Sequence, residues 1–91
     1  MKLGKYGQIV KRNLKEIYPM RYDELIVEGT IMDKLLEREQ EIVKIKEIIT
    51  QRIKEQNPVP KTNEFLIIAQ YNQMIENLVE EQLQPMLEEK I

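Results

Sequence analysis

From residue 30 to residue 84 the chain reads TIMDKLLEREQEIVKIKEIITQRIKEQNPVPKTNEFLIIAQYNQMIENLVEEQLQ. The first part of this stretch can form one helix from Thr30 to Gln56, because neither Gly nor Pro interrupts it. Thr30 followed by Asp33 resembles a capping box, with Asp in place of the usual Glu. The apolar stripe of this helix comprises Ile31, Leu35, Ile42, Ile49 and Ile53, with Leu36 and Val43 on one flank and Ile45 on the other. The charged pair Arg38-Glu39 interrupts the stripe.

The segment Asn57-Pro58-Val59-Pro60 is the strongest helix breaker of the chain. After it, Thr62 or Asn63 can cap a further helix, which we expect to reach about Gln84 before Pro85 kinks it or starts a last turn. Its apolar side comprises Ile67, Ile68, Tyr71, Met74, Ile75, Leu78 and Val79. Two helices of similar length joined by a short loop predict an antiparallel hairpin with facing apolar stripes.

Two shorter helices precede this hairpin. The first is expected over Gly4 to Tyr18, and its apolar stripe comprises Leu3, Tyr6, Val10, Leu14 and Ile17. Pro19 separates it from a second helix over about Met20 to Glu28, which is stopped by Gly29. The second helix is expected to turn Tyr22, Leu25 and Ile26 inward. The sequence therefore predicts an all-α fold: a single domain over 1–91, with basic N-terminal helices in 1–29 and a long helical hairpin in 30–91.

The composition argues against catalysis and against a bound cofactor or metal. None of the 91 residues is Cys, His or Ser, which removes disulfides, thiolate ligands, the usual general base and two common nucleophiles. Four glutamates have helical spacing that could suggest a carboxylate metal site, but we expect them to form a solvated face; they are Glu37, Glu41, Glu76 and Glu80. The chain shows neither a targeting segment nor a membrane span, and the lack of Cys fits a cytoplasmic protein.

The charge is divided unevenly along the chain. Residues 1–22 carry six basic groups and one acidic group, for a net charge of +5, whereas residues 23–91 carry a net charge of −7. At about 100° per residue, four cations fall on one arc of the first helix: Lys5, Lys11, Arg12 and Lys15. This basic face predicts contact with a protein partner, and nucleic acid is a second option. Pairing with the acidic body or with a second copy of the chain is the alternative.

A helix-turn-helix is another nucleic-acid hypothesis, since the second and third helices meet at Gly29. The exposed positions of its recognition helix would be Asp33, Lys34, Glu37 and Arg38. This mixture of charges does not suit phosphates and base edges, and the helix is longer than a usual recognition helix.

The run Leu3-Gly4-Lys5-Tyr6-Gly7-Gln8, followed by Lys11-Arg12-Asn13-Leu14-Lys15-Glu16, resembles the TnpV-like family of small transposon-encoded proteins. That family shows a Gly-Lys-Tyr-Gly segment leading into a basic Arg-x-Leu-Lys-Glu stretch. The similarity covers about the first 40 residues in detail and continues through Tyr22, Leu25, Gly29, Met32, Leu35 and Leu36. The chain departs from the pattern because it lacks the preceding polar extension and has a short linker with two prolines.

The resemblance implies an accessory role in a bacterial mobile element or prophage, and it carries over no catalytic residue. The binding positions that it suggests are Lys5, Tyr6, Lys11, Arg12 and Lys15. The leading hypothesis is therefore a non-enzymatic binding protein that uses its basic first helix. The alternative is an inhibitor of a host defence system that acts through its acidic hairpin, with Glu76, Glu80 and Glu81. The wide apolar stripe of the third helix also predicts a homodimer.

Overall fold

The computed structural model describes residues 2–91, which contain four helices and no strand. The helices are α1 (Lys5–Ile17), α2 (Pro19–Glu28), α3 (Ile31–Gln56) and α4 (Phe65–Leu87). The all-α prediction is confirmed. The largest difference in helix limits is at α4, which starts at Phe65 and continues through Pro85 to Leu87. The sequence predicts an end near Gln84, with Pro85 kinking the helix or starting a last turn.

Gly29 ends α2 as expected, through a Schellman turn. Its φ of 73° lies in the left-handed region, which Gly occupies without steric cost. The Gly29 amide donates to the Ile26 carbonyl, and the Thr30 amide donates to the Leu25 carbonyl, both at 3.1 Å. These two bonds satisfy carbonyl groups that the end of α2 leaves free.

Both predicted N-terminal side-chain caps are wrong. Thr30 is the N-cap residue of α3, but its side chain makes no capping bond, and its hydroxyl lies 3.5 Å from a Glu28 carboxylate oxygen instead. The N-cap residue of α4 is Glu64, not Thr62 or Asn63. The Thr62 hydroxyl oxygen accepts the Glu64 amide at 3.1 Å, so this side chain stabilises a turn in the linker.

Contacts at the two ends of α3 and α4 show that these helices run antiparallel, consistent with the predicted hairpin. The Tyr71 hydroxyl, near the start of α4, donates to the main-chain oxygen of Asn57, just after α3, at 2.6 Å. At the opposite end, Arg38 of α3 donates to the Met86 carbonyl at 3.1 Å. The molecule is elongated, with extents of 55 × 24 × 20 Å. We call the end near residues 57–64 the loop end and the opposite end the base.

The core lies between the two long helices and is completed by α1. It consists of Tyr6, Val10, Leu35, Ile42, Ile49, Ile53, Tyr71, Ile75, Val79, Leu83 and Leu87. Leu83 and Leu87 were not among the predicted core residues: Leu83 lies inside the expected helix, and Leu87 lies beyond its expected end near Gln84. Five residues of the predicted apolar faces are exposed by 38% to 49%: Ile17, Ile26, Val43, Ile67 and Met74. By helical spacing, Ile67 and Met74 lie on the side of α4 opposite Glu80, which contacts α1 through Tyr6.

Within residues 2–91, none of the helices is both long enough and apolar enough to cross a membrane.

Candidate functional site

The site is built on α1, which Tyr6 attaches to both long helices. The Tyr6 side chain is buried, and its hydroxyl donates to a carboxylate oxygen of Glu80 on α4 at 2.8 Å. The ammonium group of Lys46 on α3 lies 5.0 Å from the centre of the same ring. The nearby Tyr6 side chain, together with the carboxylates of Glu80 and Glu76, raises the pKa of Lys46 above its ordinary value. Tyr6 therefore anchors α1 and sets its orientation on the hairpin.

The first turn of α1 is capped by a residue from another helix. The carboxylate of Glu39 on α3 accepts the Gly4 amide at 3.0 Å and the Gly7 amide at 2.6 Å. Both amides belong to the group that a helix N-terminus leaves without an internal partner. The negative charge also lies at the positive end of the helix dipole. Glu39 thus takes the place of the side-chain cap that Gly4 itself does not provide.

The two glycines of the Gly-Lys-Tyr-Gly segment make this close approach possible. A Cβ atom at Gly4 would lie 2.9 Å from the nearer Glu39 oxygen, and one at Gly7 would lie 2.8 Å from it. Either methyl group would displace the carboxylate and weaken its hydrogen bonds. Sequence patterns do not predict this contact; its one sign in the sequence is the charged pair that interrupts the apolar stripe of α3.

The base of the hairpin is closed by donors from the other three helices. Arg38 donates to the Met86 carbonyl at 3.1 Å and also pairs with Glu89. The Asn13 amide group of α1 donates to the Leu87 carbonyl at 3.0 Å, and Arg21 of α2 donates to the Ile91 carbonyl at 2.7 Å. These bonds satisfy carbonyl groups at and beyond the end of α4, and they fix the two short helices at the base.

The outer face of α1 carries three cations: Lys11, Arg12 and Lys15. All three residues are exposed, and within residues 2–91 none of them forms an ion pair. Lys15 and Lys11 are one turn apart, and the Lys15 ammonium group lies 5.8 Å from the ring centre of Tyr22. We call these three residues the basic face.

Two of the five predicted binding residues have other contacts. Lys5 lies 3.5 Å from a Glu80 oxygen, so its charge is directed toward α4 and away from the basic face. Tyr6 is buried, as its position near the apolar side of the helix indicated. The structure therefore brings together Lys11, Arg12 and Lys15 on an exposed surface, and it places Lys5 and Tyr6 where α1 meets the hairpin.

Internal contacts occupy residues on which the other sequence hypotheses depend. Arg38, a position of the supposed recognition helix, is turned inward, with 13% of its side chain exposed. Glu41 pairs with Arg38 at 3.0 Å, and Glu80 is held by Tyr6.

In the described part of the chain, no group of three or more His, Cys, Asp or Glu residues is placed to hold a metal ion. Of the acidic hairpin residues, Glu76 and Glu81 are exposed.

Comparison with known protein families gives a match over nearly the whole chain. The family model described as transposon-encoded protein TnpV matches residues 1–88, which confirms the resemblance seen in the Gly-Lys-Tyr-Gly segment and extends it over α3 and α4. No curated protein and no solved structure matches the chain.

Proposed function

Because the chain belongs to the TnpV family of transposon-encoded proteins, we propose that it is a non-enzymatic accessory protein of a bacterial mobile element. In this proposal it binds a protein or protein–DNA partner through the basic face of α1. The observation that carries the proposal is the exposure of Lys11, Arg12 and Lys15 without ion-pair partners in the described chain.

The charge arrangement supports an anionic partner. The chain has an excess of acidic groups, yet these three cations are not among those that pair with them, whereas Lys5, Arg21 and Arg38 are. A helix face with several neighbouring cations is unfavourable by itself, because like charges repel. A phosphate backbone or an acidic protein surface relieves this repulsion on binding.

The contacts that hold α1 on the rest of the molecule also favour a binding role. Tyr6 and Glu39 hold its N-terminal half against the long helices, and Asn13 ties its second half to the end of α4. The backbone that presents the basic face is therefore ordered before binding, so little backbone entropy is lost on association. The alternative inhibitor role, through the acidic hairpin, has less support because Glu80 is occupied by Tyr6 and Lys5.

The test compares duplex DNA binding by the parent and by the variant Lys11→Gln/Arg12→Gln/Lys15→Gln at low and moderate salt. If the basic face contacts DNA, the variant binds more weakly to every sequence, and its salt dependence flattens by about 0.9 in slope for each phosphate that it no longer neutralises. The matched control is Lys44→Gln/Lys54→Gln/Lys61→Gln, which removes the same charge from exposed positions of the hairpin. An equal reduction of affinity in both variants would show that only net charge matters.

If the parent does not bind DNA at low salt, the direct DNA contact is rejected and the protein partner remains. The proposal then requires that a protein encoded by the same element binds the parent and the hairpin control in a pairwise assay. The same protein must bind the variant of the basic face more weakly. Retained affinity in that variant would contradict the proposed binding surface.

A further inference from the structure

The chain exposes more surface than a compact monomer of its mass. Its accessible surface is 6725 Å² at 10.9 kDa, whereas the usual scaling for monomers gives about 5,600 Å². Its radius of gyration is 16.6 Å, and a compact domain of this length has a value of about 12 Å. The excess arises because α1 and α2 lie toward the base, so that the loop half of the hairpin consists of α3 and α4 alone.

The uncovered hairpin has an apolar flank on the side away from α1. Lys46 and Glu80, which contact Tyr6, mark the side of α3 and α4 that faces α1. At about 100° per residue, an apolar set falls away from that side. Its members are Ile45 and Ile48 on α3, and Met74 and Leu78 on α4. Ile48 is 56% exposed and Met74 is 40% exposed, while Ile45 and Leu78 are partly buried against the core. We call these four residues the apolar flank.

We propose that a second copy of the chain covers the apolar flank, with the two hairpins antiparallel across a two-fold axis, to form a four-helix bundle. Each α1 then lies on the outside of the dimer with its basic face free. Two antiparallel hairpins that share apolar stripes are a standard way to build such a bundle. This inference does not depend on the proposed function.

The charges on the flank select the antiparallel arrangement. On α3, Glu41 precedes Ile45 by four residues and Arg52 follows Ile48 by four, so the two charges are equidistant from the centre of the apolar flank. A two-fold axis at that centre places Arg52 of each copy opposite the second copy's Glu41. Arg52 forms no ion pair within residues 2–91, and the Glu41 side chain is 59% exposed although it contacts Arg38. A parallel arrangement would instead bring like charges together.

The area also fits a dimer. A stable interface of standard size buries about 800 Å² on each partner, and the excess surface of this chain over a compact monomer is about 1,100 Å². The excess surface of the chain is therefore larger than the area that one partner buries in a standard interface. The contact would be isologous, so each copy contributes the same residues.

The first test is sedimentation equilibrium of the full chain from low to high micromolar concentration. The parent is expected to dimerise, and Ile48→Glu and Met74→Glu are each expected to raise the dissociation constant by at least about tenfold. Both side chains are exposed in the single chain, so the variants should keep the helical circular dichroism of the parent. The control is Val27→Glu on α2, where an equally apolar side chain is 86% exposed but lies outside the proposed interface.

The second test addresses the antiparallel arrangement and uses the absence of Cys from the natural chain. Protein with Glu41→Cys is mixed with protein with Arg52→Cys under oxidising conditions. The proposal predicts a mixed disulfide dimer in excess over the two symmetric disulfides, because only the mixed pair brings the two sulfurs within reach. A monomeric parent at high micromolar concentration, a dimer unaffected by both Ile48→Glu and Met74→Glu, or preferential symmetric disulfides would overturn the proposal.

Discussion

Two adjacent charged residues of α3 stabilise two helix ends that lie far away in the chain. Glu39 accepts from the free amides of Gly4 and Gly7, and Arg38 donates to the Met86 carbonyl near the end of α4. Each charge has the sign that the dipole of the helix end favours. From sequence alone, these residues interrupt an apolar stripe, and Arg38 was expected to be exposed. Their partners are 32 to 48 positions away, and local patterns carry no information about such contacts.

We expect Glu39→Gln to lower the free energy of unfolding by about 0.5–2 kcal/mol, the usual cost of removing a helix N-cap. Gln keeps one oxygen acceptor, but it has no negative charge and cannot accept from both Gly4 and Gly7 through two carboxylate oxygens. Denaturant unfolding followed by circular dichroism measures the effect. Glu37→Gln is the matched control, because Glu37 is exposed and belongs to the same helix. A decrease of equal size in the control would assign the effect to net charge and not to the cap.

At the scale of helices, periodicity and breakers predicted the fold well, while side-chain capping did not follow from sequence. Pro19 and Gly29 separate the first three helices where expected. The interior of α4 was predicted, but at Pro85 the sequence left open a kink or a last turn, because a proline ordinarily breaks or kinks a helix. Pro85 lies in the last turn of α4, so its missing amide removes only one helical hydrogen bond, the bond to the Glu81 carbonyl. The carbonyls of Met86 and Leu87 that follow it accept from Arg38 and Asn13.

The packing of α3 on α4 gives a prediction of its own. Ile42 has no exposed side-chain surface and lies in the middle of the core, so Ile42→Ala is expected to destabilise the fold by about 2–5 kcal/mol. The destabilisation is the sum of two free-energy costs: the lost burial of the removed side-chain carbons and the cavity left between the helices. Val27→Ala, at an exposed position of α2, should change stability by less than about 0.5 kcal/mol. Equal melting curves for the parent and Ile42→Ala would refute the packing of the two stripes.

At the scale of the whole molecule, the sequence predicted the basic face but not its separation from Lys5. Helical periodicity alone places Lys11, Arg12 and Lys15 on one side of α1, so this part needed no tertiary information. Lys5 lies on the edge of the same arc, and its direction is decided by Glu80, near the other end of the chain. Only the docking of α1 on α4 determines which cations stay free.

The base of the hairpin makes more contacts with the short helices than the loop end does. This difference predicts that local stability also differs between the two ends. The base has three helices around Leu83, and the donors Asn13, Arg21 and Arg38 close the end of α4. At the loop end, the first turn of α4 has no side-chain cap, and Phe65 is 81% exposed. Regions with little buried apolar surface open at lower free energy, so their amides exchange faster. In the single chain, amides around Leu83 should therefore be protected by a larger factor than amides of residues 69–74.

Native-state hydrogen exchange at low protein concentration measures this gradient. Arg38→Gln, which removes a charged donor to the Met86 carbonyl, should reduce protection around Leu83 and leave residues 69–74 nearly unchanged, because the loop half opens without breaking the base. Only folded hairpins can associate into the proposed dimer, so dimerisation stabilises the folded state. Protection of residues 69–74 should therefore increase with protein concentration. Uniform protection along α4 at low concentration would contradict the gradient, since it would mean that the hairpin opens only as one cooperative unit.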